Sequence, residues 1–184
     1  DLNVFSLYQD KQETIWLGTD DYGTLEGGAL HRIISYGSES EDFKFQQFRS
    51  IPDDVTSLAS NYIMSMYEDS KGRFWVCNWA GGLNLVDRTT GKVTRYSEGE
   101  GAENLNCNDI YSITEDAEGN LWLASYGGGI SRMVEDNGNF SFVPYLKKEN
   151  EPNSLVGDFV RQIFTDRNGL MWAITWKSGI SRIR

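Results

Sequence analysis

The chain of 184 residues contains little histidine and cysteine, and these shortages exclude several kinds of site. It has one histidine, His31, and two cysteines, Cys77 and Cys107, which stand thirty residues apart. Cysteine and histidine are the usual ligands of zinc, so a zinc site has almost no ligands here. The cysteine spacing is neither a C-x-x-C motif nor the density of a disulfide-built scaffold, which favours free or packed thiols. We expect no metal and no cofactor.

The chain is also poor in positive charge and in long apolar runs. Its 17 lysine and arginine residues stand against 27 aspartate and glutamate residues, giving a net charge of −10. Because lysine and arginine drive binding to a phosphate backbone, we expect no nucleic-acid partner. No run of eighteen apolar residues occurs, and the opening residues DLNVFSLYQD lack the regions of a signal peptide. We expect no direct membrane insertion, and any export signal to lie outside these residues.

Aromatic residues and glycine are abundant instead. The chain has 6 Trp, 9 Tyr, 9 Phe and 19 Gly but only 3 Pro, and 39% of its residues are hydrophobic. This composition is typical of many short strands joined by tight turns, with enough apolar surface for a core. It predicts a folded, all-β protein.

The strongest pattern is an internal repeat. Four segments align on a tryptophan, and an aspartate stands six residues before it in every copy. The pairs are Asp10 and Trp16, Asp69 and Trp75, Asp116 and Trp122, and Asp166 and Trp172. In the last three copies a leucine stands eleven residues before the aspartate, at Leu58, Leu105 and Leu155. We predict that the tryptophans are core residues that fill the space between neighbouring sheets.

The spacing of the repeats predicts their architecture. Successive tryptophans are 59, 47 and 50 residues apart, the size of a four-stranded antiparallel propeller blade. We predict one β-propeller segment over residues 1–184, a fragment of a larger propeller. Its blades are expected at about 1–49, 58–97, 105–146 and 155–184, the last without a fourth strand.

Glycines mark two turns in each blade. A D-x-x-G hairpin between the first two strands ends in Gly72, Gly119 or Gly169, whereas Glu13 stands at that position in the first copy. A second turn precedes strand three at Gly82, Gly129 or Gly179. In the first copy this second stretch is six residues longer, if Ala29 takes the place of the glycine.

The second turns carry the candidate ligand-binding residues. In an up-and-down blade these turns and the links between blades emerge on one face of the propeller. Sugar C–H groups stack on aromatic rings while hydroxyls pair with polar groups, so exposed aromatics on this face favour a carbohydrate surface. The residues are Asp20, Asp21, Tyr22, Trp79, Tyr126, Trp176 and Lys177. Two alternatives stay open: the aromatics pack against the next blade, and the insertion at 20–25 is neutral length drift.

Other charged residues favour catalysis less. The acidic pairs Glu68–Asp69 and Glu115–Asp116 are neighbours in a strand and point to opposite faces, unlike the converging carboxylates of a glycosidase. Arginines at equivalent places in strand three are predicted to be solvated edge residues: Arg32, Arg132 and Arg182. No nucleophile elbow or phosphate loop is present, and one histidine leaves little general-base chemistry near neutral pH. We predict that the chain is not an enzyme.

The repeat resembles a known family. The segment YSITEDAEGNLWLASYGGGISRM (111–133) carries most clearly the pattern E-D-x-x-G-x-L-W followed by GG-L/I, which resembles the two-component regulator propeller repeat. The resemblance implies a periplasmic sensor region of a hybrid two-component system of Bacteroidetes type. Such regions hold many repeats in two seven-bladed propellers, followed by a β-sandwich, a membrane helix and a histidine kinase. It also implies an oligosaccharide ligand derived from glycan breakdown, and a kinase outside this chain.

The expected partners are therefore an oligosaccharide and other blades or a second propeller of the parent protein. Open sheet edges at both ends of the array expose unpaired backbone groups, so we expect self-association or marginal stability of the isolated segment. Two other functions stay open: a glycan-active lyase or glycosidase on a propeller, and a passive protein-interaction scaffold. Converging carboxylates would favour the first, and a broad apolar patch the second.

Overall fold

A computed structural model describes residues 3–20, 28–36 and 43–183, which form β-strands and no helix. The strands are β1 (Val4–Gln9), β2 (Ile15–Thr19), β3 (Leu30–Tyr36), β4 (Phe43–Phe48), β5 (Ile63–Glu68), β6 (Phe74–Asn78), β7 (Gly82–Val86), β8 (Val93–Tyr96), β9 (Ile110–Glu115), β10 (Leu121–Ser125), β11 (Gly129–Asp136), β12 (Asn139–Tyr145), β13 (Val160–Thr165), β14 (Met171–Thr175) and β15 (Gly179–Ile183).

The strands form four antiparallel meanders, one for each repeat. Their orders are β1-β2-β3-β4, β5-β6-β7-β8, β9-β10-β11-β12 and β13-β14-β15. Each meander is a propeller blade, and the last has three strands. The all-β blade architecture predicted from the repeat is confirmed.

The chain divides into two compact units, residues 1–95 and 96–184. Each unit contains two of the four sheets, and within each unit the first strands of the two sheets lie side by side: β1 beside β5, and β9 beside β13. Serine hydroxyls bridge these inner strands, since Ser6 Oγ donates to the Ile63 carbonyl over 3.2 Å and Ser112 Oγ donates to the Ile163 carbonyl over 3.3 Å. The inner strands are therefore held together by polar bonds as well as by packing.

Each unit has its own apolar core between its two sheets. In the first unit Trp16 is fully buried, with its ring centroid 4.6 Å from that of Phe74 and 5.8 Å from that of Phe48. Leu58, from the link before β5, belongs to the same cluster. In the second unit Leu155 takes part in a cluster with Trp122. In each unit a tryptophan and a link leucine thus fill the space between the two sheets.

An aspartate–tryptophan hydrogen bond closes every first hairpin. The carboxylate accepts the indole N–H at 2.9 Å in Asp10–Trp16, 2.9 Å in Asp69–Trp75, 2.8 Å in Asp116–Trp122 and 3.0 Å in Asp166–Trp172. The other carboxylate oxygen accepts two backbone N–H groups of the turn, for example those of Lys71 and Arg73 on Asp69. Burial opposes ionisation of Asp69, but these bonds outweigh it and hold its pKa below the usual value. One side chain therefore shapes the turn and orients the indole.

The hairpin turns require a left-handed backbone at the position where three repeats have glycine. The φ angle is 77° at Gly72, 84° at Gly119 and 77° at Gly169. In the first repeat the hairpin forms with Glu13 at φ 64°. A residue with a Cβ adopts this conformation at a cost of about 1–2 kcal/mol, so Glu13 stores local strain.

Replacing Glu13 with glycine is therefore expected to raise the free energy of unfolding by about 0.5–1 kcal/mol, the relief of strain being partly offset by the greater freedom of glycine in the unfolded chain. Urea denaturation measures the change. The matched control is Gly72→Ala, where the added methyl meets nothing closer than a Glu68 carboxylate oxygen at 3.9 Å and conformational strain alone should lower stability. If Glu13→Gly were only as stable as the unsubstituted chain, Glu13 would not be strained.

Candidate functional site

A β-bulge recurs near the start of the first strand of every blade. The ladder between the first two strands skips one residue five positions before the aspartate. The skipped residues are Phe5, Met64, Tyr111 and Arg161. A bulge breaks the regular alternation of side chains between the two faces of a sheet. The directions of these four side chains are therefore set by the bulge and do not follow from counting along the strand.

A backbone hydrogen bond fixes the position four residues after each tryptophan. Its N–H donates to the carbonyl of the residue seven positions before the aspartate in every blade. The bonds are Asp20 to Asn3 at 3.3 Å, Trp79 to Tyr62 at 3.1 Å, Tyr126 to Asp109 at 2.9 Å and Trp176 to Phe159 at 2.7 Å. The fold therefore sets the location of this position, while its side chain varies from blade to blade.

In the second unit these positions bring aromatic side chains together. The ring centroids of Tyr111 and Tyr126 lie 5.7 Å apart, and those of Tyr126 and Phe159 lie 4.8 Å apart in an edge-on contact. The Arg161 guanidinium lies over the Trp176 ring, 5.3 Å from its centroid. We call Tyr111, Tyr126, Phe159, Arg161 and Trp176 the aromatic strip. Phe159 and Trp176 are 49% and 45% exposed, a large apolar area left open to solvent.

The strip also carries polar groups. Burial raises the pKa of the Tyr111 phenol, with Tyr126 and Asp109 adding to the effect and Arg161 opposing it, so the hydroxyl remains a donor at neutral pH. Lys177, next to Trp176, is exposed and has a φ of 63°. The same turn position has a positive φ in two other blades, 54° at Ala80 and 100° at Gly127, so this conformation belongs to the turn. The arrangement can stack a flat apolar face and pair with hydroxyl or acidic groups around it.

The predicted site residues fare differently. Tyr126, Trp176 and Lys177 lie at or beside the strip, and Tyr126 also contacts Phe159 of the next sheet, as the packing alternative holds. Asp20 is buried and accepts a hydrogen bond from the Asn3 side chain at 3.1 Å. Trp79 is half-buried in the first unit. The insertion residues Asp21 and Tyr22 lie outside the described residues.

Sequence reasoning missed Tyr111, Phe159 and Arg161. Tyr111 and Arg161 stand at one register position, five residues before the aspartate, and Phe159 stands seven before it. The available signal was that these aromatic or charged residues stand directly next to the β-branched residue that begins the first strand of the blade. The bulge that exposes it leaves no trace in the spacing of the repeat.

The acidic pair of the second repeat is neutralised. Glu68 accepts hydrogen bonds from Arg88 at 3.0 Å and from the Lys11 backbone N–H at 2.8 Å. Burial raises the pKa of Glu68, but these donors outweigh it and the pKa is lowered. Its neighbour Asp69 is paired with Arg73 at 2.6 Å as well as with the indole. A glycosidase general acid needs a raised pKa, so neither carboxyl is suited to that role.

The cysteines offer no reactive site. Both are free, and burial raises the pKa of the Cys77 thiol to about 12. Burial likewise raises the pKa of Cys107. Across residues 3–20, 28–36 and 43–183, no three His, Cys, Asp or Glu side chains gather closely enough to hold a metal ion.

In the described part of the chain, no helix has the length and apolar character required to span a bilayer.

The single histidine is buried in the first blade. His31 is fully enclosed, and its Nε2 lies 3.1 Å from the Thr19 hydroxyl. Burial and the nearby positive charge of Arg49 both lower its pKa. The fold therefore favours the neutral imidazole.

The free energy of unfolding is expected to fall between pH 7 and pH 5. The unfolded chain binds a proton at His31 near the reference pKa of about 6.5, whereas the folded chain binds it only at lower pH. The stabilising contribution is thus present above that value and is lost as the pH falls, by up to about 2 kcal/mol at pH 5. Carboxylates whose pKa values are lowered in the folded chain lose their contribution to the free energy of unfolding only at pH values below this range.

Urea denaturation at several pH values tests this expectation, with His31→Asn as the control because Asn84 occupies the equivalent position in the second blade. The variant should show a flat profile between pH 7 and pH 5. An unchanged slope in the variant would assign the effect to another group.

A family model described as two component regulator propeller matches residues 1–21, 57–80 and 104–127. The extracellular domain of the putative hybrid two component system BT4673 from B. thetaiotaomicron is similar over 100% of this chain, with 25% identity and a TM-score of 0.75. That of BT3049 from the same organism is similar over 99%, with 25% identity and a TM-score of 0.69. The chain spans 24% and 23% of these two structures.

A third solved structure shares the fold. PorZ, a surface component of the type-IX secretion system of Porphyromonas gingivalis, is 18% identical over 98% of this chain, with a TM-score of 0.63. The chain spans 25% of PorZ. No protein with a curated sequence matches the chain significantly.

Proposed function

This chain carries repeats of the two component regulator propeller family, as its motif predicts, and on that premise we propose that it is a ligand-sensing segment of a hybrid two-component regulator. It binds oligosaccharides derived from glycans and relays binding to a kinase outside this chain. The chain itself supplies recognition and no catalytic group. It works on the periplasmic side of the membrane, as part of an anchored receptor.

The exposed aromatic strip is the observation that supports oligosaccharide binding. Phe159 and Trp176 are about half exposed, and Arg161, Lys177 and the Tyr111 hydroxyl supply donors nearby. Sugars bind proteins by stacking their C–H faces on aromatic rings while polar side chains pair with the hydroxyls. The strip is built on strand ends and bulges of a rigid sheet, which limits the ordering cost of binding.

Further blades of the parent protein are the proposed partners of the outer sheet faces. In the first unit the apolar side chains of Val4, Phe5 and Leu7 on β1 are exposed. In the second unit Phe164, Ile174 and Ile180 are exposed on the last sheet. In an isolated segment these faces are expected to cause association with a second copy.

Replacing Trp176 with alanine in the full sensor region is expected to weaken oligosaccharide binding about tenfold, which corresponds to about 1.4 kcal/mol. A panel of plant and host oligosaccharides is first screened by thermal shift, because a ligand of the native state raises the melting temperature. Calorimetry then gives the affinity of the selected sugar for each variant.

The matched control is Trp176→Tyr, which keeps a stacking ring and should bind within about threefold of the parent, a difference below 1 kcal/mol. Silence across the panel with a well-folded protein would contradict oligosaccharide sensing and favour a protein-binding role. Selective binding that Trp176→Ala leaves unchanged would keep the sensing function and move the site away from the strip.

A further inference from the structure

One polar position in strand three recurs in every blade. It lies opposite the residue that follows the tryptophan: His31 opposite Leu17, Asn84 opposite Val76, Ser131 opposite Leu123 and Ser181 opposite Ala173. His31, Asn84 and Ser131 are buried. The register shows that His31 is the structural equivalent of the other three, despite the longer turn before it.

In three blades this residue binds the link that leads into its own blade. The Ala59 backbone N–H donates to Asn84 Oδ1 at 3.0 Å, and the Val156 N–H donates to Ser181 Oγ at 3.3 Å. In the third blade Ser131 Oγ donates to the Asn106 side chain at 2.9 Å. Each partner directly follows a buried link leucine: Leu58, Leu105 or Leu155. The polar residue of strand three therefore holds the link in place by a hydrogen bond next to the buried leucine.

His31 has the same place but an unused hydrogen-bonding atom. The Thr19 hydroxyl donates to the Ala29 carbonyl and accepts the Ala29 N–H, so its remaining lone pair accepts from His31 Nε2–H. The neutral ring then has a bare lone pair on Nδ1. This buried atom has no hydrogen-bond partner among the described residues. An unpaired buried acceptor is costly, so a donor is needed at this point.

We propose that His31 Nδ1 is the docking acceptor for an incoming link that precedes the first blade in the parent protein. The occupant is an extended segment with an apolar residue followed by a residue with a free backbone N–H, as in Leu58–Ala59 and Leu155–Val156. The donating residue in those blades stands ten positions before the aspartate. By the same count the donor for His31 immediately precedes Asp1.

A graft within the chain itself tests the proposal. Residues 50–59 (SIPDDVTSLA), the link of the second blade, are fused ahead of Asp1, which places the copied alanine next to Asp1. The control graft replaces that alanine with proline, which has no N–H to donate. Because His31 is the only histidine, its imidazole nitrogen signals in NMR spectra need no assignment by mutation.

We expect the alanine graft, but not the proline graft, to shift the Nδ1 resonance toward the hydrogen-bonded position. It should also raise the melting temperature about 2–4 °C more than the proline graft, the effect of one buried hydrogen bond in a chain of this size. Proline also restricts the residue before it, so both grafts are repeated with His31→Leu, which removes the acceptor. The difference between grafts should vanish there. An Nδ1 signal unmoved by the alanine graft, or an equal difference in the leucine background, would overturn the proposal.

Discussion

Replacing Arg88 with methionine is expected to cost about 3–5 kcal/mol of the free energy of unfolding. Its guanidinium pairs with Asp10 at 3.1 Å and with Glu68 at 3.0 Å, and it also donates to the Gly72 carbonyl at 3.1 Å. Both carboxylates are almost wholly buried, with side chains only 2% and 1% exposed. The variant leaves two buried carboxylates without their arginine partner, although Asp10 keeps its indole and backbone donors and Glu68 keeps the Lys11 N–H. Urea denaturation measures the loss.

Glu68→Gln makes the prediction sharper. In the unsubstituted chain, Glu68→Gln should lower the free energy of unfolding, because it breaks the ion pair with Arg88. In the Arg88→Met background it removes a buried charge that has lost its arginine partner and should stabilise, so the sign of its effect reverses. Lys148→Ala is the control for an exposed pair, since Lys148 and Glu151 are both more than half exposed, and should cost less than about 1 kcal/mol. Additive effects of the Arg88 and Glu68 changes would refute a shared buried ion cluster.

The second large effect is expected from Trp16→Ala, which should cost about 3–5 kcal/mol. The ring is fully buried against Phe74 and Phe48, so its removal leaves a cavity at the centre of the first unit. The variant also leaves the Asp10 carboxylate without its indole donor. Urea denaturation measures the loss of stability, and amide hydrogen exchange shows whether that loss lies within residues 1–95.

Trp172→Ala is the matched comparison. Trp172 makes the same carboxylate bond, at 3.0 Å to Asp166, but its side chain is only half-buried on the last sheet. Both variants lose one indole–carboxylate bond, so the excess cost of Trp16→Ala measures burial. We expect Trp172→Ala to cost about half as much, in keeping with its smaller loss of buried area. Equal costs would mean that the hydrogen bond, and not packing, determines the contribution of the tryptophan.

The blades could be predicted from sequence because the same residue pattern occurs four times in the chain. The spacing of Asp69 and Trp75, and of their equivalents, fixed both the hairpin and the strand that follows. Glu13 was the exception to the glycine pattern, yet the hairpin forms there because the carboxylate of Asp10 still holds the turn through two backbone N–H groups. Local hydrogen bonds overrode the propensity of one residue.

The contacts between distant residues could not be predicted. Arg88 meets Asp10 across 78 positions of sequence, and the pattern of the repeat does not encode that pairing. Arg32 and Arg132 were expected to be solvated edge residues. They are half-buried and lie 5.7 Å and 5.9 Å from the ring centroids of Trp16 and Trp122, since the antiparallel register sets each opposite its tryptophan.

The candidate site was predicted in part for a similar reason. Trp176 and Tyr126 stand at a position marked by the repeat, so their location followed from counting. Arg161 and Phe159 join them through a bulge and a short contact between neighbouring sheets, which depend on backbone geometry in three dimensions. The binding role of all these residues stays a prediction until a ligand is tested.

The aspartate–tryptophan bond has a consequence for the ancestry of such chains. Its two partners lie six residues apart inside one hairpin, so a duplicated or deleted repeat carries its own bond intact. Genes can therefore gain or lose whole repeats without leaving a carboxylate or an indole unpaired in the interior. A recombination point between the two residues would separate them, so we expect the boundaries of ancestral duplications to fall in the links.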